Sequence, residues 1–175
     1  MAAELKLIEP SLELRSQYTA MVKELISAGD GNNWYCEPAL KNFTEFVHRC
    51  LEWEKGRNLL DGWVPASTFW LTRNENVLLG VSSLRHKLNK HLLKFGGHIG
   101  YAIRPSQRQK GYGSSILKLT LAEAKRLGLK KVLITCGDSN VASIKIIEKN
   151  GGVLMDKCDR DKSAKLTRRY WIKLA

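Results

Sequence analysis

No run of apolar residues in this 175-residue chain approaches the ~20 needed to cross a bilayer, so no membrane span is expected. The opening segment Met1–Leu7 lacks an apolar h-region, so no secretory leader is expected either. Cysteine is scarce. Cys36, Cys50, Cys136 and Cys158 are scattered with no CxxC pair, which excludes a zinc ribbon and a dense disulfide framework and points to reduced thiols in a cytoplasmic setting. Histidines His86, His91 and His98 stand five and seven residues apart without accompanying carboxylates, which matches no common metal spacing, so no metal is expected. Repeats, linkers and low-complexity stretches are also missing, and the length suits one domain over residues 1–175.

Acidic residues are outnumbered, 17 against 29 basic, for a net charge of +12. From Arg104 to Lys131 there are eight Lys/Arg against the single acid Glu123, so +7 of that excess lies in 28 residues. Such a field favours an anionic partner. Nucleic acid, a membrane surface and a phosphorylated ligand all satisfy it, as does a plain solvated helix face. The chain has neither a recognition-helix motif nor an aromatic-rich RNA platform, which weighs against nucleic acid.

Periodicity lays out the elements. Leu5–Ile8 reads as a strand. Ser11 is a candidate N-cap for a helix carrying Leu14, Tyr18, Met21, Val22 and Leu25 and closed by Gly29. A second helix is expected from about Pro38 to Lys55. Strands follow at Thr68–Thr72 and Val77–Leu84, joined by a turn at Asn74-Glu75-Asn76, and a third at His98–Ile103 after the basic connection Arg85–Gly97. Gly113–Leu127 is a helix, Lys131–Thr135 a β-branched strand suited to mid-sheet, Asn140–Lys149 a helix, and Val153–Lys157 and Arg168–Leu174 the final strands. The fold class is α/β: a mixed, mostly antiparallel twisted sheet of about seven strands flanked by about four helices. The unit from His98 to Thr135 is expected to form a right-handed parallel crossover.

One segment carries chemistry. The strand ending at Ile103 is stopped by Pro105, and Arg108-Gln109-Lys110-Gly111-Tyr112-Gly113 leads into a helix opening with Ser114 and Ser115. The first four N–H groups of a helix have no internal partner, and the helix dipole adds positive potential there. Two glycines let backbone approach an oxygen-rich group, and Arg108 and Lys110 add charge. Together they suit a phosphate or pyrophosphate. A Walker loop needs Lys-Ser/Thr after its second glycine, and a dinucleotide fingerprint needs a small residue where Ile116 stands.

The run resembles the signature of the GNAT (Gcn5-related) N-acetyltransferase superfamily, Gln/Arg-x-x-Gly-x-Gly/Ala, with Arg108, Gly111 and Gly113 at the defined positions. Ile103-Arg104-Pro105 resembles that family's strand-four ending. Asn140-Val141-Ala142-Ser143 followed by Glu148-Lys149-Asn150-Gly151 resembles its second cofactor segment, and the likeness runs from about Thr68 to Gly152. The segments around Gly97–Tyr101 and Arg169–Ile172 are similar to a bacterial branch of predicted acetyltransferases with undefined acceptors.

The resemblance implies acetyl-CoA as acyl donor. Its pyrophosphate would meet the amides of Gln109 to Ser114, including those of Lys110, Gly111, Tyr112 and Gly113. Its pantetheine would run along the strand ending at Ile103, and Asn140 and Ser143 would contact it from the second segment. The reaction implied is direct attack of a primary amine of a small molecule, amino acid or peptide on the thioester, with a non-catalytic CoA-binding or sensing module as the alternative. A homodimer is compatible with the sequence.

A base must take the amine's proton, and a backbone N–H of the Tyr101–Ile103 strand is the natural donor to the oxyanion. His98 is the first candidate base and His86 the second. A lone histidine also serves as a structural residue, and His98 and Tyr101, three apart, face opposite sides of a regular strand. Many family members place a Tyr seven residues after the Asn; here that residue is Ile147, which has no proton to give. Tyr101 is the other candidate catalytic group. Cys136 reads as a small core residue, with an acyl-cysteine route as the alternative. Trp34, in the loop between the first two helices, is a candidate to stack on the acceptor.

Overall fold

The computed structural model describes residues 4–33, 35–74, 76–159 and 165–174. Its strands are β1 (Leu5–Ile8), β2 (Ala66–Arg73), β3 (Val77–Arg85), β4 (Ile99–Ile103), β5 (Lys131–Gly137), β6 (Val153–Asp159) and β7 (Leu166–Lys173). Its α-helices are α1 (Arg15–Ser27), α2 (Glu37–Lys41), α3 (Phe43–Glu54), α4 (Tyr112–Arg126) and α5 (Val141–Lys149). The seven strands form two sheets, β1-β2-β3-β4 and β5-β7-β6, with every ladder antiparallel.

Local signals explain most boundaries. The Ser11 side chain accepts the Glu13 N–H at 3.2 Å and starts a 3₁₀ turn that runs into α1. Tyr18, Met21, Val22 and Leu25 recur on one face of α1 and are fully buried. They pack with Phe43, Phe46 and Trp70 into one core on the α1–α3 side of the first sheet. Leu84, Ile99, Leu117, Val132, Ile134 and Tyr170 form a second core on the α4 side, bridging both sheets.

Two expectations are corrected. The helix expected over Pro38–Lys55 is broken at Asn42, which is extended (φ −150°). Its side chain accepts the Glu45 N–H at 3.2 Å and donates to the Glu45 carboxylate at 3.3 Å, so an Asn N-cap starts α3 afresh. The expected parallel crossover places β4 and β5 near each other but does not make them a ladder. Each belongs to its own sheet, and they touch only at one end. There the His98 N–H donates to Leu133 O at 2.6 Å, and the Leu133 N–H donates to His98 Nδ1 at 2.9 Å. Gly97 makes this clasp. It has φ +64°, and a Cβ on it would stand 2.5 Å from Leu133 O.

Beyond the clasp the two strands splay. In the β3–β4 register His98 and Arg104 bond to Arg85 and Leu79, so alternation turns the backbone groups of Tyr101 and Ile103 away from β3, toward β5. The main-chain groups of Tyr101 and the N–H of Ile103 therefore line the splay, while Ile103 O is taken by Arg108 Nε. The expected turn at Asn74–Asn76 includes Glu75, which lies outside the described residues, and the connection after Arg85 holds one π-helical turn, Leu92–Gly96.

Candidate functional site: a cleft between two splayed strands

The open end of the splay meets the N-terminus of α4. Pro105–Gln107 makes a single 3₁₀ turn, Gln109 has φ +60°, and Gly111 caps the helix at φ +83°. That left-handed turn aims successive amides the same way. Among the described residues no protein acceptor takes the N–H of Gln109, Lys110, Gly111, Tyr112 or Gly113. Ser114 differs from the expectation, since its N–H already donates to Gly111 O at 3.1 Å and its Oγ accepts from Asn150 Nδ2 at 3.1 Å. The two glycines do different work. Gly111 is required by its backbone angle, whereas a Cβ on Gly113 would lie 2.5 Å from Ile146 Cδ1, so Gly113 lets α5 pack closely on α4.

A cleft of about 780 Å³ runs from this loop into the splay. Tyr101, Ile103, Arg108, Gln109, Gly111, Tyr112, Gly113, Ser114, Asn140 and Ser143 all line it. Lys110 does not; its Nζ bonds back to Ser106 O at 3.0 Å and Gln107 Oε1 at 3.1 Å. Arg108 lies on the wall but is engaged, with Nε donating to Ile103 O at 3.2 Å and Nη2 to the Asp30 carboxylate at 2.6 Å. Arg104 and the Ser106 N–H are bound by Glu24 of α1 at 2.7 and 3.0 Å. Burial works against the charged Glu24, but these donors outweigh it and hold its carboxyl below the usual range. The loop is thus braced against α1 at two points.

Lys145 and Lys149 also line the cleft. Their four-residue spacing on α5, on the face shared with Ala142 and Ile146, was the available signal, and the count of basic residues from Arg104 to Lys131 passes over it.

At the deep end the Tyr101 hydroxyl meets the Ser143 hydroxyl at 2.9 Å. Burial pushes the Tyr101 hydroxyl up to about 12, with the Ser143 bond pulling the other way, so Tyr101 is protonated and able to donate. Asn140 caps α5, its Oδ1 accepting the Ser143 N–H at 3.0 Å, and so sets the position of that hydroxyl. Ile147 is fully buried in the second core.

His98 does not join these groups. It is buried, does not line the cleft, and its Nδ1 is occupied by the Leu133 N–H. Burial and the nearby Arg85 charge push its ring down to about 4. With Nδ1 accepting, the neutral ring carries its proton on Nε2, and His98 clasps β4 to β5. His86 is also apart from the cleft. Its Nε2 lies 2.8 Å from Ser67 Oγ, which donates to Glu54 Oε1 at 2.7 Å, and burial lowers its pKa. Trp34 lies outside the described residues. Neighbouring Tyr35, Asn33 and Asp30 line the cleft.

Comparison with known proteins identifies the family to which this two-sheet splay and its amide-rich loop belong. The profile described as "Acetyltransferase (GNAT) domain" matches residues 20–153, and the chain belongs to that family. Comparison with curated sequences finds no match. Among solved structures, the chain is similar to the Salmonella typhimurium acetyltransferase that modifies the N-terminal serine of 50S ribosomal subunit protein L7/L12. The identity is 16%, the TM-score 0.71, and the match covers 100% of this chain and 97% of that one. It is similar to the microcin C7 self-immunity acetyltransferase MccE, solved with acetyl-CoA and AMP (16% identity, TM-score 0.70, covering 97% and 92%). It is also similar to a spermidine N-acetyltransferase from Vibrio cholerae, solved with CoA and spermine (15% identity, TM-score 0.67, covering 97% and 95%). At these identities the likeness concerns the fold. No helix among the described residues is long and apolar enough to cross a membrane.

Proposed function

We propose that the protein transfers an acetyl group from acetyl-CoA to a primary amine of a small molecule, amino acid or peptide. The observation that carries this is the row of five unpartnered amides around left-handed Gly111, at the mouth of a cleft whose far end holds the Tyr101–Ser143 pair. A pyrophosphate fits the row, because amides at a helix N-terminus bind anions without a side-chain charge. That matters here, since Arg108 and Lys110 are engaged elsewhere. The cations left to face the phosphates are Lys145 and Lys149. The pantetheine amides suit the free edge of β4.

The chemistry follows from the groups at the deep end. The amine lone pair adds to the thioester carbon, and the Tyr101 N–H, directed toward β5, is placed to donate to the oxyanion. The C–S bond then breaks, and the sulfur takes a proton from the Tyr101–Ser143 hydroxyl pair, which supplies what Ile147 lacks. A thiol pKa near ~8.5 makes sulfur a good leaving group, so this help is modest. With His98 engaged, the amine's proton leaves through water in the open cleft.

The test has two stages. Acetyl-CoA at about 100 times its Kd is expected to stabilise the fold by ~2.7 kcal/mol. The absence of any shift in melting temperature at millimolar CoA sinks the proposal. An amine panel followed by free-thiol release then separates turnover from a binding or sensing module, which releases none.

A further inference from the structure

Away from the cleft, on the α1–α3 side of the first sheet, lies a cavity of about 420 Å³ walled by Trp53, Trp63, Val64 and Leu92. Its floor is β3, where Ser83 and Arg85, two apart, project from one face. Arg85 is unusual. Its Nη1 donates to Gly96 O at 3.1 Å and Gly97 O at 3.0 Å, and among the described residues no acceptor bonds its Nε or Nη2. No carboxylate among the described residues pairs with it either; Asp61, on the cavity wall, is exposed and makes no ion pair with it. A largely buried guanidinium without an acid is costly, and burial lowers its pKa. The Nε–Nη2 edge is the fork that takes a carboxylate with two parallel bonds. The buried Ser83 hydroxyl has no hydrogen-bond partner among the described residues and faces the same space.

The cavity floor is next to the strand that carries the chemistry. Ser83 pairs with Gly100 in the β3–β4 register, so both positions share a face. A Cβ on Gly100 would meet nothing within 4 Å, so the space beside it is open. Gly100 precedes Tyr101, whose backbone faces the splay. A ligand held by Arg85 would extend past Gly100 to β4.

We propose that this cavity is the acceptor pocket and that it selects amino acids with a large apolar or aromatic side chain. The Arg85 fork and Ser83 hydroxyl hold the carboxylate, the two tryptophans hold the side chain, and the amine is directed past Gly100. This rests on the acetyl-transfer reading and narrows its acceptor. It also disfavours polyamines, which would meet Arg85 as a like charge.

The experiment compares L-tryptophan, L-phenylalanine and L-leucine with their amides, with phenethylamine and with spermidine. Binding is read by thermal shift and calorimetry, and turnover by thiol release. The free acids are expected to be preferred over their amides by about 10- to 150-fold in kcat/KM, the range of hydrogen bonds to a charged group. Arg85→Met should erase that preference, and Ser83→Ala should reduce it. Gly100→Val should fill the route and raise the acceptor KM while CoA affinity stays within about twofold of wild type. Equal use of acids and amides overturns the proposal, as does a preference that survives in Arg85→Met or failure of any amino acid to bind. Arg85 also holds two loop carbonyls; if Arg85→Met does not fold, Ser83→Ala and Gly100→Val decide. Failure of CoA to bind would instead sink the acetyl-transfer reading, and amino-acid binding would still judge the pocket.

Discussion

The Tyr101 hydroxyl stands 2.9 Å from the Ser143 hydroxyl, joining β4 to the first turn of α5 across the splay. Neither group is on the helix position where a Tyr is usual in this family, yet the pair provides a protonated donor at the end of the cleft. Tyr101→Phe and Ser143→Ala are each expected to lower kcat by about 100-fold, the low end of the range for proton transfer. The double variant should lose little more than the worse single one, because the two act as a unit. CoA affinity by calorimetry should change little. A kcat unaltered in both single variants removes the pair from the mechanism.

Gly111→Asp separates charge from shape. Asp tolerates the left-handed backbone at φ +83° better than most residues, so the fold should persist at a cost of ~1 kcal/mol. A carboxylate beside the amide row would repel a pyrophosphate by ~3 kcal/mol at an effective dielectric of about 20. CoA binding should weaken at least 100-fold. Gly111→Asn, with the same shape and no charge, should weaken it about 100-fold less, the factor that ~3 kcal/mol corresponds to. Equal affinities for the two variants would remove the phosphate assignment.

These contrasts bear on what was legible in the sequence. Gly111, Asn140 and Ser11 were readable because a left-handed cap or an Asn cap acts on neighbours within three residues. The break at Asn42 was equally local, since Asn42 is an N-cap whose side chain bonds Glu45, but the apolar spacing of Leu40, Phe43 and Phe46 runs straight across it. The splay was not readable. Lys131–Thr135 is apolar enough for mid-sheet, and its buried neighbours are β7 on one side and the clasp on the other. Likewise His98 has a pKa suited to catalysis only until Leu133, 35 residues away, takes its Nδ1. The cavity holding Arg85 was invisible because its walls come from α3, the loop after it, β2, β3 and the connection after β3.

The clasp makes a pH prediction. His98 is pushed from an ordinary 6.5 to about 4 in the fold. Between those values the unfolded chain binds more protons, so stability is full above about pH 6.5 and falls as pH drops toward 4. At ~1.4 kcal/mol per pH unit the loss amounts to ~3 kcal/mol. The lowered pKa of His86 acts in the same direction. His98→Asn keeps an acceptor for the Leu133 N–H and removes the titration. It should be less stable than wild type at pH 7 and lose clearly less on going to about pH 4.5. Urea melts at both pH values check this, and parallel losses in the two proteins would contradict it.

Asp30 offers the last test, because it holds Arg108 at the mouth of the cleft with a 2.6 Å ion pair. Both partners are more than 40% exposed, so the pair contributes under ~1 kcal/mol to stability, and Asp30→Asn should melt close to wild type. Its effect on the ligand should be larger. Asp30 lines the same cleft as the amide row, so its charge opposes the pyrophosphate and also neutralises Arg108. Removing it leaves the guanidinium free to face the phosphates. CoA is expected to bind about 2- to 10-fold more tightly in Asp30→Asn at low ionic strength. The gain should shrink toward zero near 1 M salt, where the screening length falls to ~3 Å. Calorimetry at the two salt concentrations reads both effects. A gain that persists at high salt would mean that Asp30 acts through the shape of the loop; no gain at low salt would mean that Arg108 serves only to brace it.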